Sequence, residues 1–108
     1  MIKKNEKQAL QRFKTLLLKQ FGSHILGVRL FGSKARGDDR ANSDIDVLVI
    51  TRNDNWNIKK AIGRIATTIL VEDGIYISVK VLGRPTFKRL TALKSPFLRS
   101  IAHEGMRL

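Results

Sequence analysis

Two pairs of residues in the first half of the chain have types and a spacing that suit phosphate and metal chemistry. Gly32 and Ser33 end one apolar segment, and Asp44 and Asp46 begin another after ten intervening residues. A glycine lets the backbone turn sharply and lets a ligand approach it closely, and backbone amides at the start of a following helix favour phosphate. The Ser33 hydroxyl adds a further donor. A Gly-Ser pair alone is usually only a turn, so the prediction depends on the two aspartates as well.

Asp44 and Asp46 are two residues apart at the start of the clearest predicted strand. Residues at i and i+2 of a strand share a face, with Cα atoms about 6.6 Å apart. Two acids side by side in an otherwise apolar strand are costly unless water or a cation compensates them. Oxygen-only ligands suit Mg²⁺ or Mn²⁺, and carboxylates together with substrate phosphates are the usual way to hold Mg²⁺. The alternative is that Asp44 caps a turn and Asp46 points to solvent.

The elements that must position these residues follow from hydrophobic periodicity and from turn residues. In the first half of the chain the sequence predicts a helix over 5–20, a strand over 25–31, a helical turn over 34–36, a polar loop over 37–43 and a strand over 44–50. The second half is predicted to contain a helix from 53–55 to 73–74, a strand over 75–81, a turn over 83–85, a short helix carrying Phe87 and Leu90, and a last helix from Ser95 to Gly105. This order, αβ(α)βαβαα, predicts an α/β (α+β) fold: one domain over residues 1–108, with a small mixed β-sheet covered by helices.

Composition limits the class of protein and its partners. The 108 residues include 21 Lys and Arg against 9 Asp and Glu, a net charge of +12 that favours polyanionic partners such as nucleic acid, nucleotides or an acidic protein. A merely solubilising surface is the alternative. The absence of cysteine excludes a disulfide scaffold, a thiol nucleophile and a Cys-ligated zinc site. No apolar run approaches the roughly 18 residues of a membrane helix, and no signal peptide is apparent, so we expect a cytoplasmic protein with no membrane partner.

Taken together, the segments Leu30–Gly37 and Ser43–Val49 resemble the signature of the DNA polymerase β-like nucleotidyltransferase superfamily. The chain length and the sequence Gly-Ser-Lys-Ala-Arg-Gly resemble the minimal nucleotidyltransferases (MNT) of bacteria and archaea. The C-terminal residues 95–97 and 104–105 also resemble the tail of small stand-alone members. The specific match covers residues 30–50, and the remainder agrees in the order of elements.

The resemblance implies a role for each residue of the motif. Gly32 and Ser33 would hold the β- and γ-phosphates of a nucleoside triphosphate, and Asp44 and Asp46 would hold Mg²⁺ or Mn²⁺ around the α-phosphate. Arg36 or Lys34 would assist a phosphate, unless each is a solvated charge on the short helix. The implied reaction transfers a nucleotidyl group to a hydroxyl of a protein or an RNA.

One expected residue is missing from the pattern. Active members carry a third acid on the next core strand, which helps to activate the acceptor hydroxyl. The matching positions here are Tyr76, Ser78 and Lys80, none of them a carboxylate, whereas Glu72 and Asp73 would serve only if the strand began earlier. The alternative function is therefore a catalytically weak nucleotide-binding regulatory subunit.

The resemblance also implies a protein partner. Larger relatives add a helical domain for which 108 residues leave no room, and many MNT proteins are paired with a small helical HEPN protein, often as antitoxin and toxin. We therefore expect an oligomer or hetero-oligomer, with Trp56 or with Phe97 and Ile101 at the contact unless these side chains are core. A plain basic nucleic-acid binder is disfavoured, because no pattern of stacking aromatics lies among the basic residues.

Overall fold

The structure, a computed structural model, describes residues 3–32, 45–96, 98–99 and 106–107. Its helices and strands are α1 (Lys4–Phe21), a 3₁₀ turn (Gly22–His24), β1 (Ile25–Phe31), β2 (Ile45–Thr51), α2 (Trp56–Asp73), β3 (Ile77–Gly83), α3 (Arg84–Ala92) and β4 (Met106–Arg107). Residues 96, 98 and 99 are also helical. No helix within the described ranges is both long and apolar enough to cross a membrane.

The strands form one mixed sheet in the order β3-β2-β1-β4. β1 is antiparallel to β2 and to β4, while β2 and β3 run parallel with α2 as their connection. The predicted mixed sheet of an α+β fold is confirmed. The sequence did not predict β4, because a two-residue strand carries no periodic signal and exists through its pairing with β1.

Each face of the sheet has its own apolar core. Helices α1 and α2 cover one face, where the central buried side chains are Phe13, Leu17, Leu30, Ile45, Val47, Val49, Ile62, Ile69 and Ile77. On the opposite face Leu48, Ile50 and Leu98 are buried, with Phe31, Leu82, Phe87 and Leu90 packed against them. Since β2 contributes alternate residues to the two cores, the direction of every β2 side chain is fixed.

Two element boundaries differ from the sequence predictions. The third strand begins at Ile77 rather than Ile75, because its pairing with β2 starts with Ile45 and Ile77. Ile75 lies before the strand but still packs against the first core. The predicted turn over 83–85 is wrong, because β3 ends at Gly83 and α3 follows directly. Proline is accepted in the first turn of α3, since backbone amides there have no hydrogen-bond partner within the helix. The short helix carrying Phe87 and Leu90 is confirmed.

Other predicted boundaries are confirmed or lie outside the described residues. Asn55 caps α2 by accepting hydrogen bonds from the amides of Asn57 and Ile58, and Gly74 ends that helix in the left-handed conformation with φ 70°. The helical turn over 34–36 and the end of the last helix, over 100–105, lie outside the described ranges.

Candidate functional site

Asp46 is the second residue of β2, and it lies on the face of the sheet that α3 covers beyond this point. Its neighbours Ile45 and Val47 are buried in the first core, so the Asp46 side chain projects from the opposite face. Leu48, two residues further on that face, is already fully buried. The sheet therefore offers a carboxylate at the rim of an apolar layer.

The structure brings Gly32 into contact with Asp46. Phe31 pairs with Asp46 across β1 and β2, and Gly32 follows immediately with φ +75°. A Cβ atom on Gly32 would overlap the carboxylate Oδ2 of Asp46 and would lie 3.2 Å from its Cγ. Glycine is required here for two reasons, the left-handed backbone and the close approach of the carboxylate. The two halves of the sequence motif, ten residues apart in the chain, thus meet at one point.

The remaining motif residues, Ser33, Arg36 and Asp44, lie outside the described residues. Their roles stay predictions. Across the described ranges, no three histidines, aspartates or glutamates are grouped as a metal site. The donors at the Asp46 position are oxygens, a carboxylate with the Ser78 hydroxyl on the adjacent strand, and such a set fits a hard cation such as Mg²⁺.

The β3 side chains next to Asp46 alternate between the two faces of the sheet as the sequence predicts. The alternate residues Ile75, Ile77, Val79 and Val81 pack in the first core. Ser78 and Lys80 therefore share the face of Asp46, as predicted, whereas Tyr76 precedes the strand. Ser78 pairs directly with Asp46, and Lys80 pairs with Leu48 further from the rim. Ser78 is therefore the β3 residue in register with the site, and it is not a carboxylate.

Glu72 and Asp73 are engaged elsewhere. They end α2, on the opposite face of the sheet, and Arg12 of α1 binds both of them. The Arg12 Nη1 donates to Asp73 Oδ1 at 2.9 Å, and Nη2 donates to the Glu72 carboxylate. These hydrogen bonds raise the pKa of Arg12, that to Glu72 most strongly. The pair of acids ties α1 to α2, and β3 does not begin early enough to include them.

Asp54 has a positioning role that the sequence did not reveal. Its Oδ1 accepts a hydrogen bond from the Gly83 amide at 2.9 Å, and its Oδ2 accepts one from the Thr86 hydroxyl at 2.8 Å. The Thr86 bond is the main cause that lowers the Asp54 pKa, with the Gly83 amide and the nearby Lys59 ammonium, 3.8 Å away, acting in the same direction. Asp54 thereby fixes the start of α3, the helix that covers the site's face. From the sequence, the residues Asn53-Asp54-Asn55 predict only the start of α2.

Comparison with known proteins gives a family match and two named relatives. The family model described as a nucleotidyltransferase domain matches residues 7–108. A Methanocaldococcus jannaschii protein, provisionally named a protein adenylyltransferase, is 30% identical over 101 residues, which are 94% of this chain and 95% of that protein. A spectinomycin 9-adenylyltransferase of Staphylococcus aureus is 50% identical over 46 residues, which are 43% of this chain and 17% of that enzyme.

A solved structure shares the fold. It is a toxin-antitoxin complex with AMP-PNP, and the alignment has a TM-score of 0.55 at 20% identity over 88% of this chain and 68% of the matched chain. At that identity the likeness supports the arrangement of helices and strands.

Proposed function

The chain belongs to the nucleotidyltransferase domain family, and from that premise we propose that it is a minimal nucleotidyltransferase that binds a nucleoside triphosphate with a divalent cation and transfers the nucleotidyl group to a hydroxyl. The single observation that carries the proposal is the contact between Gly32 and Asp46. That contact joins the phosphate-binding turn to a cation-binding carboxylate. ATP is the proposed nucleotide, since relatives in two organisms are named adenylyltransferases.

Each motif residue has a physical role in this proposal. The left-handed turn at Gly32 would lead into the phosphate-binding segment. There the backbone amides, the Ser33 hydroxyl and the Arg36 guanidinium would hold the β- and γ-phosphates. Asp44 and Asp46 would hold Mg²⁺ or Mn²⁺. When bound, such a cation neutralises charge on the transferring phosphate and on the leaving pyrophosphate. The net charge of +12 attracts the anionic nucleotide.

The acceptor side of the proposed site has no carboxylate on β3. Ser78, in register with Asp46, can orient an acceptor hydroxyl by hydrogen bonding but is too weak a base to remove its proton at neutral pH. We therefore expect slow transfer by the isolated chain.

The proposed acceptor is a protein, and the proposed partner is a small helical HEPN-type protein in a hetero-oligomer. Support comes from the relative named for protein adenylylation and from the fold shared with a toxin-antitoxin complex. Trp56, 71% exposed at the start of α2, is the proposed contact, because a large exposed aromatic is typical of interface anchors. Use of cellular ATP and a protein partner favours a cytoplasmic location.

Calorimetric titration of ATP, ADP and AMP, with and without Mg²⁺, tests the binding half of the proposal. We expect affinity to fall in the order ATP, ADP, AMP, and we expect Asp44→Asn and Asp46→Asn to lose the Mg²⁺-dependent part. Asp73→Asn removes the same charge away from the site and is the matched control. Equal affinity for the three nucleotides, or unchanged affinity in both site variants, would refute the proposal.

The pairing of Asp46 with Ser78, which is not a carboxylate, favours a second candidate function. On this alternative the chain is a regulatory subunit that binds nucleotide without turnover. Incubation with labelled ATP and the partner protein separates the two functions. Transfer of label to the partner supports the transferase, whereas tight ATP binding with no transfer supports the regulatory subunit, and label on RNA instead identifies RNA as the acceptor.

A further inference from the structure

Tyr76 is the sole tyrosine of the chain, and it lies directly before β3. Its side chain is 51% exposed. Tyr76 is exposed between Ile75 and Ile77, which pack in the first core. The next residue but one, Ser78, lies on the face of Asp46. An exposed phenol thus lies at the same rim of the sheet as the candidate site.

Strand geometry brings the phenol within reach of the site. Ser78 pairs with Asp46, and Tyr76 is two residues before Ser78. If the strand spacing is extended by the one residue that precedes β3, a rise of about 3.3 Å per residue and strands about 4.8 Å apart give a separation of about 8 Å between the Tyr76 and Asp46 Cα atoms. A tyrosine hydroxyl lies about 6.5 Å from its Cα by standard covalent dimensions. The Tyr76 and Asp46 side chains together are therefore long enough to bridge that separation. The Ser78 hydroxyl is shorter and half-buried.

We propose that Tyr76 is an intramolecular acceptor, so that the chain transfers an adenylyl group from ATP to its own Tyr76 hydroxyl; this inference rests on the proposed function. The phenolic oxygen forms a bond to the α-phosphorus, and the bond from that phosphorus to the oxygen of the leaving pyrophosphate breaks. Pyrophosphate leaves with the electron pair, and the phenol proton passes to solvent. The product carries its nucleotide covalently beside Asp46, so each chain reacts once and the modified chain binds further ATP more weakly.

The test uses the full chain incubated with ATP and Mg²⁺, followed by intact mass and peptide mapping. We expect one adenylyl group per chain, located on Tyr76 and absent from Tyr76→Phe and from Asp46→Asn. The double variant Tyr76→Phe/Trp56→Tyr is the matched control. It restores one exposed tyrosine at position 56, beyond the opposite end of β2, and is expected to stay unlabelled.

A mixing experiment separates intramolecular from intermolecular transfer. Tyr76→Phe chains, which retain Asp46, are incubated with Asp46→Asn chains, which retain Tyr76. We expect no label on either chain, and label on the Asp46→Asn chain would overturn the intramolecular proposal. Iodination of Tyr76 gives a readout that needs no turnover. We expect bound AMP-PNP with Mg²⁺ to protect the ring, and equal iodination with and without the nucleotide would overturn its placement at the site.

Failure of this inference is distinguishable from failure of the proposed function. If the wild-type chain binds Mg-ATP in calorimetry but label is absent from Tyr76 or appears on other residues, the self-modification is refuted while the nucleotide site stands. If the wild-type chain does not bind Mg-ATP, both proposals are refuted together.

Discussion

Replacement of Gly32 by alanine tests directly whether the contact between the turn and the carboxylate matters for ligand binding. Gly32 has φ +75°, and its added Cβ would overlap the carboxylate of Asp46. Gly74, at the end of α2, has nearly the same backbone, φ +70°, but a Cβ there would meet nothing within 4 Å. The two substitutions therefore share the backbone strain and differ in the displacement of Asp46.

The magnitudes follow from that difference. A left-handed alanine costs about 1–2 kcal/mol, so Gly32→Ala and Gly74→Ala are each expected to lower the free energy of unfolding by about that amount. Displacing the Asp46 carboxylate also weakens an interaction with a charged group, which is worth about 1.5–3 kcal/mol. That loss corresponds to roughly a 10- to 100-fold fall in Mg-ATP affinity for Gly32→Ala. Gly74→Ala is expected to keep the wild-type affinity.

Urea unfolding measures the stability of both variants, and calorimetry with Mg-ATP measures their affinity. The comparison is made where both variants are fully folded, so that an unfolded fraction does not appear as lost binding. Should Gly32→Ala bind Mg-ATP as well as Gly74→Ala does, the contact with Asp46 would not position the ligand, and the reasoning that joins the two motif halves would be wrong.

Three further predictions concern other side chains. Ser78→Asp supplies a carboxylate in register with Asp46 and is expected to raise transfer of labelled adenylate by about 10²–10⁴-fold. Lys80→Asp, two residues further from the rim, is expected to give no gain, and equal effects of the two substitutions would reject the register assignment. The pKa of Asp54 is lowered in the folded chain, chiefly by the Thr86 hydroxyl, so the Asp54 carboxylate stabilises the fold above the usual pKa of 3.8 and this stabilisation is lost as pH falls through the lower folded pKa. The difference in free energy of unfolding between wild type and D54N should therefore close in that pH range. A difference that widens on acidification would contradict the direction of the pKa shift. Arg12→Gln removes an exposed ion-pair cluster and is expected to lower Tm slightly at low salt and not at high salt, so a salt-independent loss would show that Arg12 acts by packing.

Local patterns in the sequence determined most of the elements. The apolar repeat of α1 and α2, the Asn55 cap and the Gly74 terminus each act within a few residues, so periodicity and capping chemistry predict them. The same holds for the shared face of Ser78 and Lys80, because strand alternation is a local property. The motif residues at 32–33 and 44–46 could be recognised for the same reason, since their types and spacing are read directly from the chain.

The tertiary structure decided which residues meet. The pairing of β1 with β2 places Gly32 on Asp46. The parallel pairing of β2 with β3 selects Ser78 from the three positions that the sequence offered. The sequence could not assign Asp54 to the start of α3, because its partners lie 29 and 32 residues further along the chain. Register and long-range hydrogen bonds depend on how the two cores pack against the sheet, and a single sequence does not record the distances between residues far apart in the chain. Residue types therefore determined the chemistry available to this protein, and packing of helices on both faces of the sheet determined where that chemistry is assembled.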